Sequence, residues 1–153
     1  MNLKRAVTAG LIGGVVVDLF LILIRVAPFP GIYQFIASTV VGPVAFSSSA
    51  YIALGVVMHF VISIIFALAY AFIAQRSPVL LEHPIRWGAI FGVAVMLVMQ
   101  VVTGVAHASQ PPTVQGIVIG LIAHVVFFGL PVAWYIARPD KPQTAAAGLV
   151  PHS

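Results

Sequence analysis

Four side chains in this 153-residue sequence combine chemical reactivity with an apolar setting: Asp18, His59, Gln100 and His124. A carboxylate, two imidazoles and an amide can hold a proton, ligate a divalent cation, hydrogen-bond a small polar ligand, or bond one another. The two histidines share a local plan. His59 lies in Gly55 to Gln75 (GVVMHFVISIIFALAYAFIAQ) and His124 in Gly120 to Arg138 (GLIAHVVFFGLPVAWYIAR). In each a glycine leads the histidine by four residues and a tyrosine follows it by eleven. Gly10 and Gly14 in turn correspond to Gly88 and Gly92, so the chain reads as a duplicated unit.

The elements that must position these groups are membrane helices. The composition is 61% hydrophobic and only 7% charged, with a mean hydropathy of +1.14. A soluble domain carries roughly a quarter charged residues. Several apolar runs reach the roughly 20 residues that cross a hydrocarbon core of about 30 Å. They are long and rich in Gly and Ala rather than alternating, which selects helices over a β-barrel. The expected fold is all-α: an integral membrane four-helix bundle in one domain, 1–138, with helices near 6–26, 51–75, 87–106 and 114–137. The Pro-punctuated connector after the first helix holds a short interfacial or partly re-entrant helix over 32–41. A disordered cytoplasmic tail occupies 139–153. Each half is a helical hairpin, and two hairpins of like orientation make a parallel repeat about an axis along the membrane normal.

Orientation follows from the cations. Lys4, Arg5, Arg76, Arg86, Arg138 and Lys141 fall on one side in this topology and Arg25 alone on the other, which places both termini in the cytoplasm. The aromatics fit: Tyr70, Trp87, Trp134 and Tyr135 mark the cytoplasmic edge, Tyr33 and Tyr51 the opposite one. The first apolar stretch is too long for a secretory h-region and lacks a small-x-small cleavage site, so it reads as an uncleaved span. The net charge of +4 belongs to membrane edges and implies no nucleic acid; the expected partners are the lipid bilayer and either a second copy of the chain or a larger membrane complex. With no cysteine, disulfides, thiolate metal sites and c-type haem attachment are excluded.

At about 1.5 Å per residue, Asp18, His59, Gln100 and His124 all fall in the middle third of the bilayer. Thr103 and His107 share the Gln100 face and extend a polar stripe outward. A central Asp costs about 3 kcal/mol on insertion scales, so these groups should face the bundle interior and one another, with Asp18 bonded to His59 or His124. Four roles compete. The cluster pins helix register; or it binds a proton, a metal cation or a small polar ligand, on a transport path; or His59 and His124 ligate haem b, each with a glycine one turn earlier to make room; or it is catalytic. Two imidazoles and a carboxylate suit a divalent metal, but no HxxxH or HxxE spacing is present. Asp18 at the same depth crowds an apolar haem pocket. No nucleophile–base motif supports an enzyme. Gly129-Leu130-Pro131 predicts a helix kink.

QFIASTVVGPVAF (Gln34 to Phe46), ALGVVMHFVI (Ala53 to Ile62), FGVAVMLVMQVV (Phe91 to Val102) and IAHVVFFGLPVA (Ile122 to Ala133) together resemble a group of small bacterial inner-membrane proteins with no assigned activity. HFVISIIFALAY is more loosely similar to the YagU-type membrane proteins. The resemblance implies fold, location and a role for His59 and His124, with Asn expected where this chain has Gln100. It implies no substrate.

Overall fold

The computed structural model describes residues 2–25, 29–106 and 113–139. Among these every regular element is helical. Helix α1 is Leu3–Leu23, α2 Phe29–Val41 with a 3-10 turn Gly42–Phe46 behind it, α3 Ala50–Arg76, α4 the single turn Val79–Glu82, and α5 Pro84–Ala106. The last span, Val114–Ala137, comprises α6 Val114–Ile122, a π-helical segment Ala123–Gly129, and α7 Leu130–Ala137. Four helices are long and apolar enough to cross a bilayer: α1, α3, α5 and the last span. The chain is a multi-pass α-helical membrane protein.

Local chemistry explains where the helices begin and stop. The Asn2 side chain caps α1 by accepting from the Arg5 amide at 3.1 Å, and Thr113 caps α6 by accepting from the Gly116 amide at 3.0 Å. Helix α3 ends before Ser77-Pro78, where proline cannot continue the ladder, and α5 starts on Pro84, whose missing N–H is harmless in a first turn. Arg25 follows α1 at φ 51°, a left-handed conformation that L side chains resist.

Burial is inverted relative to a soluble domain. Large apolar side chains such as Leu23, Val57, Val105 and Val114 point outward, while Ala6, Ala9, Ala67 and Ala133 are fully buried between helices. Lipid is as apolar as leucine, so there is no drive to hide large side chains, and small residues instead let backbones approach for dispersion contacts. Helix α1 packs against α3 and the last span, and the last span against α5. Helix α2 packs along α3 and reaches α5. Tyr33, Ala37 and Ser38 of α2 are buried, so this segment is built into the bundle.

The basic end is tied together by side chains. The Arg5 guanidinium donates to the Arg138 carbonyl, joining the first and last spans. Arg76 and Arg138 lie over the rings of Phe72 and Trp134, at 3.7 and 3.6 Å from the centroids, with their charged heads at the helix ends.

The helix ahead of Pro131 departs from regular α-helical spacing. Seven residues, Ala123–Gly129, take π-helical spacing, and the Leu130 amide donates to the Val125 carbonyl five residues back. Proline lacks an N–H and its ring crowds the carbonyl four residues earlier. Widening the preceding turns relieves that clash, a device frequent at functional sites.

Candidate functional site

Asp18 is the centre of the polar cluster. It sits on α1 four residues after Gly14 and is 7% exposed. Its Oδ2 accepts a hydrogen bond from the Tyr33 hydroxyl of α2 at 2.8 Å. Its Oδ1 lies 3.2 Å from Nε2 of His59 on α3. The same Nε2 lies 3.2 Å from the Gly14 carbonyl. A carbonyl oxygen only accepts, so Nε2 carries the hydrogen, and its direction favours Gly14. Oδ1 is left buried, close to the imidazole, with no hydrogen bond among the described residues. Tyr33 and Phe60 set the His59 ring edge-on, at 6.2 and 5.2 Å between centroids.

Close backbone approach brings α2 to this position. Gly55 has no Cβ, and any there would collide with the Tyr33 carbonyl. The glycine one turn before His59 therefore receives α2 rather than leaving room for a macrocycle. Gly120, its counterpart before His124, has nothing within 4 Å.

His124 stands across the bundle in the π-helical segment. Its Nδ1–H donates to the Gly120 carbonyl at 2.7 Å, one turn back, so Nε2 is the basic nitrogen of the neutral ring. His59 and His124 border one cavity of about 60 Å³, completed by Ser63, Val17, Ile36, Val95, Met99, Phe66 and Phe128. The Phe128 ring, in the cavity wall, packs against those of Phe66 and Phe91. Tyr70 packs on Phe91 at 4.9 Å and donates to the Leu80 carbonyl.

Of the residues singled out from sequence, His59 and His124 line this cavity, and Asp18 is joined to it through His59. Gln100 is half-buried on α5, where its neighbour Met99 lines the cavity instead. The Thr103 hydroxyl bonds back to the Met99 and Gln100 carbonyls at 2.9 and 3.3 Å and is satisfied within its own helix. His107 and the tail beyond residue 139 lie outside the described residues. Among the described residues no group of three His, Cys, Asp or Glu side chains is placed to hold a metal ion. The cavity is also well below the roughly 300–1,000 Å³ of organic-ligand pockets, which leaves no space for haem.

Tyr33 is the residue that sequence reasoning missed. Its place near a helix start read as an interface aromatic; it is instead buried and bonded to Asp18. Tyr70, read as a cytoplasmic-edge residue, is buried as well. The available signal was the spacing of Tyr33, Ala37 and Ser38, which marks one buried face of a short helix. Tyr33 lies outside the four spans; burial, then the hydrogen bond and charge of Asp18, push its phenol above the ordinary range, so it remains a donor.

Fold and site together define a small helical membrane protein with a carboxylate–imidazole–phenol cluster enclosed among its spans. Comparison with known proteins finds no matching family model, no matching curated protein and no matching solved structure.

Proposed function

We propose that this chain is a bacterial inner-membrane protein, with both termini cytoplasmic, whose central cluster binds a proton, a cation or a small polar molecule in the course of transport. One observation carries the reading: a buried carboxylate oxygen of Asp18 stands 3.2 Å from His59 and has no hydrogen bond of its own among the described residues. Register-pinning polar contacts are normally fully bonded, since a lone polar atom in hydrocarbon is costly. An incompletely bonded group beside a cavity has the form of a binding site.

The duplicated plan supports a transporter-like build. A side chain on Gly14 would meet Phe60, and one on Gly92 would meet Val125, each the residue that follows the histidine of its own hairpin. These matching contacts support a parallel repeat. The distribution of cations, with Arg25 alone at the far end, supports the orientation. The resemblance to small bacterial inner-membrane proteins supports the location.

Reconstituted wild-type protein and the Asp18→Asn and His59→Gln variants test the reading. Binding or flux of protons, zinc ions or small polar solutes should be present in the wild type and lost in both variants. Folded variants that match the wild type in every such assay overturn it.

A structural or accessory subunit is the second reading, favoured by a separate observation. No residue of α6 is buried, and Gly104 and Gly120 have open space where a side chain would stand. Such a face suits another helix, from a second copy or a larger complex.

A further inference from the structure

Resting on the binding role proposed above, we infer that the species held by the cluster is a single proton, carried by the Asp18–His59 pair and exchanged with water in the cavity beside His124.

Size and ligand count narrow the choice. The cavity of about 60 Å³ exceeds the 10–15 Å³ needed to hold one water and admits a few, but no organic solute of ordinary size. A cation lacks a third protein ligand among the described residues. A proton needs neither volume nor a coordination sphere.

Charge balance then sets the number. The ionisable groups that face the pair are Tyr33 from α2 and His124 from the last span; α5 contributes only Val95 and Met99 to the cavity wall. Tyr33 remains neutral and donates to Oδ2. Asp18 ionised with neutral His59 leaves one uncompensated negative charge in the membrane interior. One proton on the pair makes it neutral, as carboxylate plus imidazolium, and a second leaves an uncompensated positive charge. Unpaired buried charge is penalised by several kcal/mol, so the one-proton state is the resting one.

The geometry provides for exchange. Nε2–H of His59 is committed between Gly14 and Asp18, while the rest of the ring borders the cavity. A hydronium in the cavity gives its proton to Nδ1 of His59: one N–H bond forms, one O–H bond breaks, and water remains. Nε2 of His124 is the alternative acceptor on the same cavity, and each imidazolium repels the other, so the two rings hold one proton between them.

The full chain in lipid nanodiscs, labelled with ¹⁵N-histidine and titrated from about pH 4 to about pH 9, tests this by NMR and by infrared difference spectroscopy. Expected is uptake of one proton by His59 and His124 together, with the signals of the other three histidines assigned and set aside, seen as conversion of a neutral imidazole to imidazolium and as an environmental shift of the carboxylate bands. Asp18→Asn should move the imidazole midpoint by at least tenfold in proton concentration. Helical circular dichroism checks that the variant folds, and the wild-type titration needs no variant. Imidazoles that do not titrate, or uptake of two protons, overturn the inference. Zinc titrated into the same sample separates the two ideas. Zinc bound at His59 with no proton uptake retains the binding role and ends the proton assignment; neither zinc nor proton ends both.

Discussion

The Tyr33 hydroxyl donates to Oδ2 of Asp18 at 2.8 Å, joining a short helix outside the four spans to a carboxylate in the first of them. The bond fixes which carboxylate oxygen is left for His59. It also makes α2 part of the cluster rather than a cover over it. Replacement of Tyr33 by Phe should keep the ring packing and remove the donor. The expected loss is about 1–2 kcal/mol in equilibrium unfolding in detergent, since interhelical hydrogen bonds in membranes are modest. In a double-substitution cycle with Asp18→Asn the losses should not add. Tyr51→Phe is the control and should change little.

The same residue sets a response to high pH. The fold holds the Tyr33 proton more tightly than the unfolded chain does. As pH rises through about 10 the unfolded phenol ionises while the native one stays protonated, so the native state binds more protons there. This contribution is fully present below that pH and declines above it. Unfolding measured between about pH 8 and about pH 11 should show the decline, with a shallower slope in Tyr33→Phe.

Gly55 and Gly120 occupy matching sequence positions with opposite surroundings. A Cβ at Gly55 collides with the Tyr33 carbonyl, and one at Gly120 meets nothing within 4 Å. Gly55→Ala should displace α2 at a loss of about 1–3 kcal/mol, as overpacking does. Gly120→Ala should be neutral or slightly stabilising, because it adds helix propensity without a clash. Thermal unfolding of the two single variants decides the matter.

Arg25 stands at φ 51° just past α1. Glycine adopts this conformation without strain, so Arg25→Gly should stabilise the fold by about 1 kcal/mol. Removing the sole cation at that end increases the charge asymmetry and should leave the topology as it is. Unfolding and a protease-accessibility assay of the termini report the two effects.

Gln100 tests how closely depth predicts participation. Residue counting puts it at the height of Asp18 and His59, yet Met99 lines the cavity in its place. Gln100→Leu should leave proton uptake at the pair unaltered, whereas Met99→Ala should enlarge the cavity and disturb it. Titration of the imidazoles in both variants checks this.

The sequence by itself determined the class of protein, because apolar length and charge poverty admit no other solvent than lipid for α1, α3, α5 and the last span. It also determined that Asp18, His59 and His124 would turn inward, since a lone polar group in hydrocarbon is penalised wherever it stands. The tertiary structure decided the partners. Depth along a helix follows from counting residues, but direction around it follows from crossing angles, and a step of about 100° per residue moves Met99 into the cavity and Gln100 beside it. The part played by Tyr33 depends on Gly55 admitting the α2 backbone, a contact between segments that no local pattern encodes. The π-helical turns around His124 likewise express how Pro131 was accommodated against α5, where Gly129 meets the backbone of Gly88 and Gly92, a choice that packing alone makes.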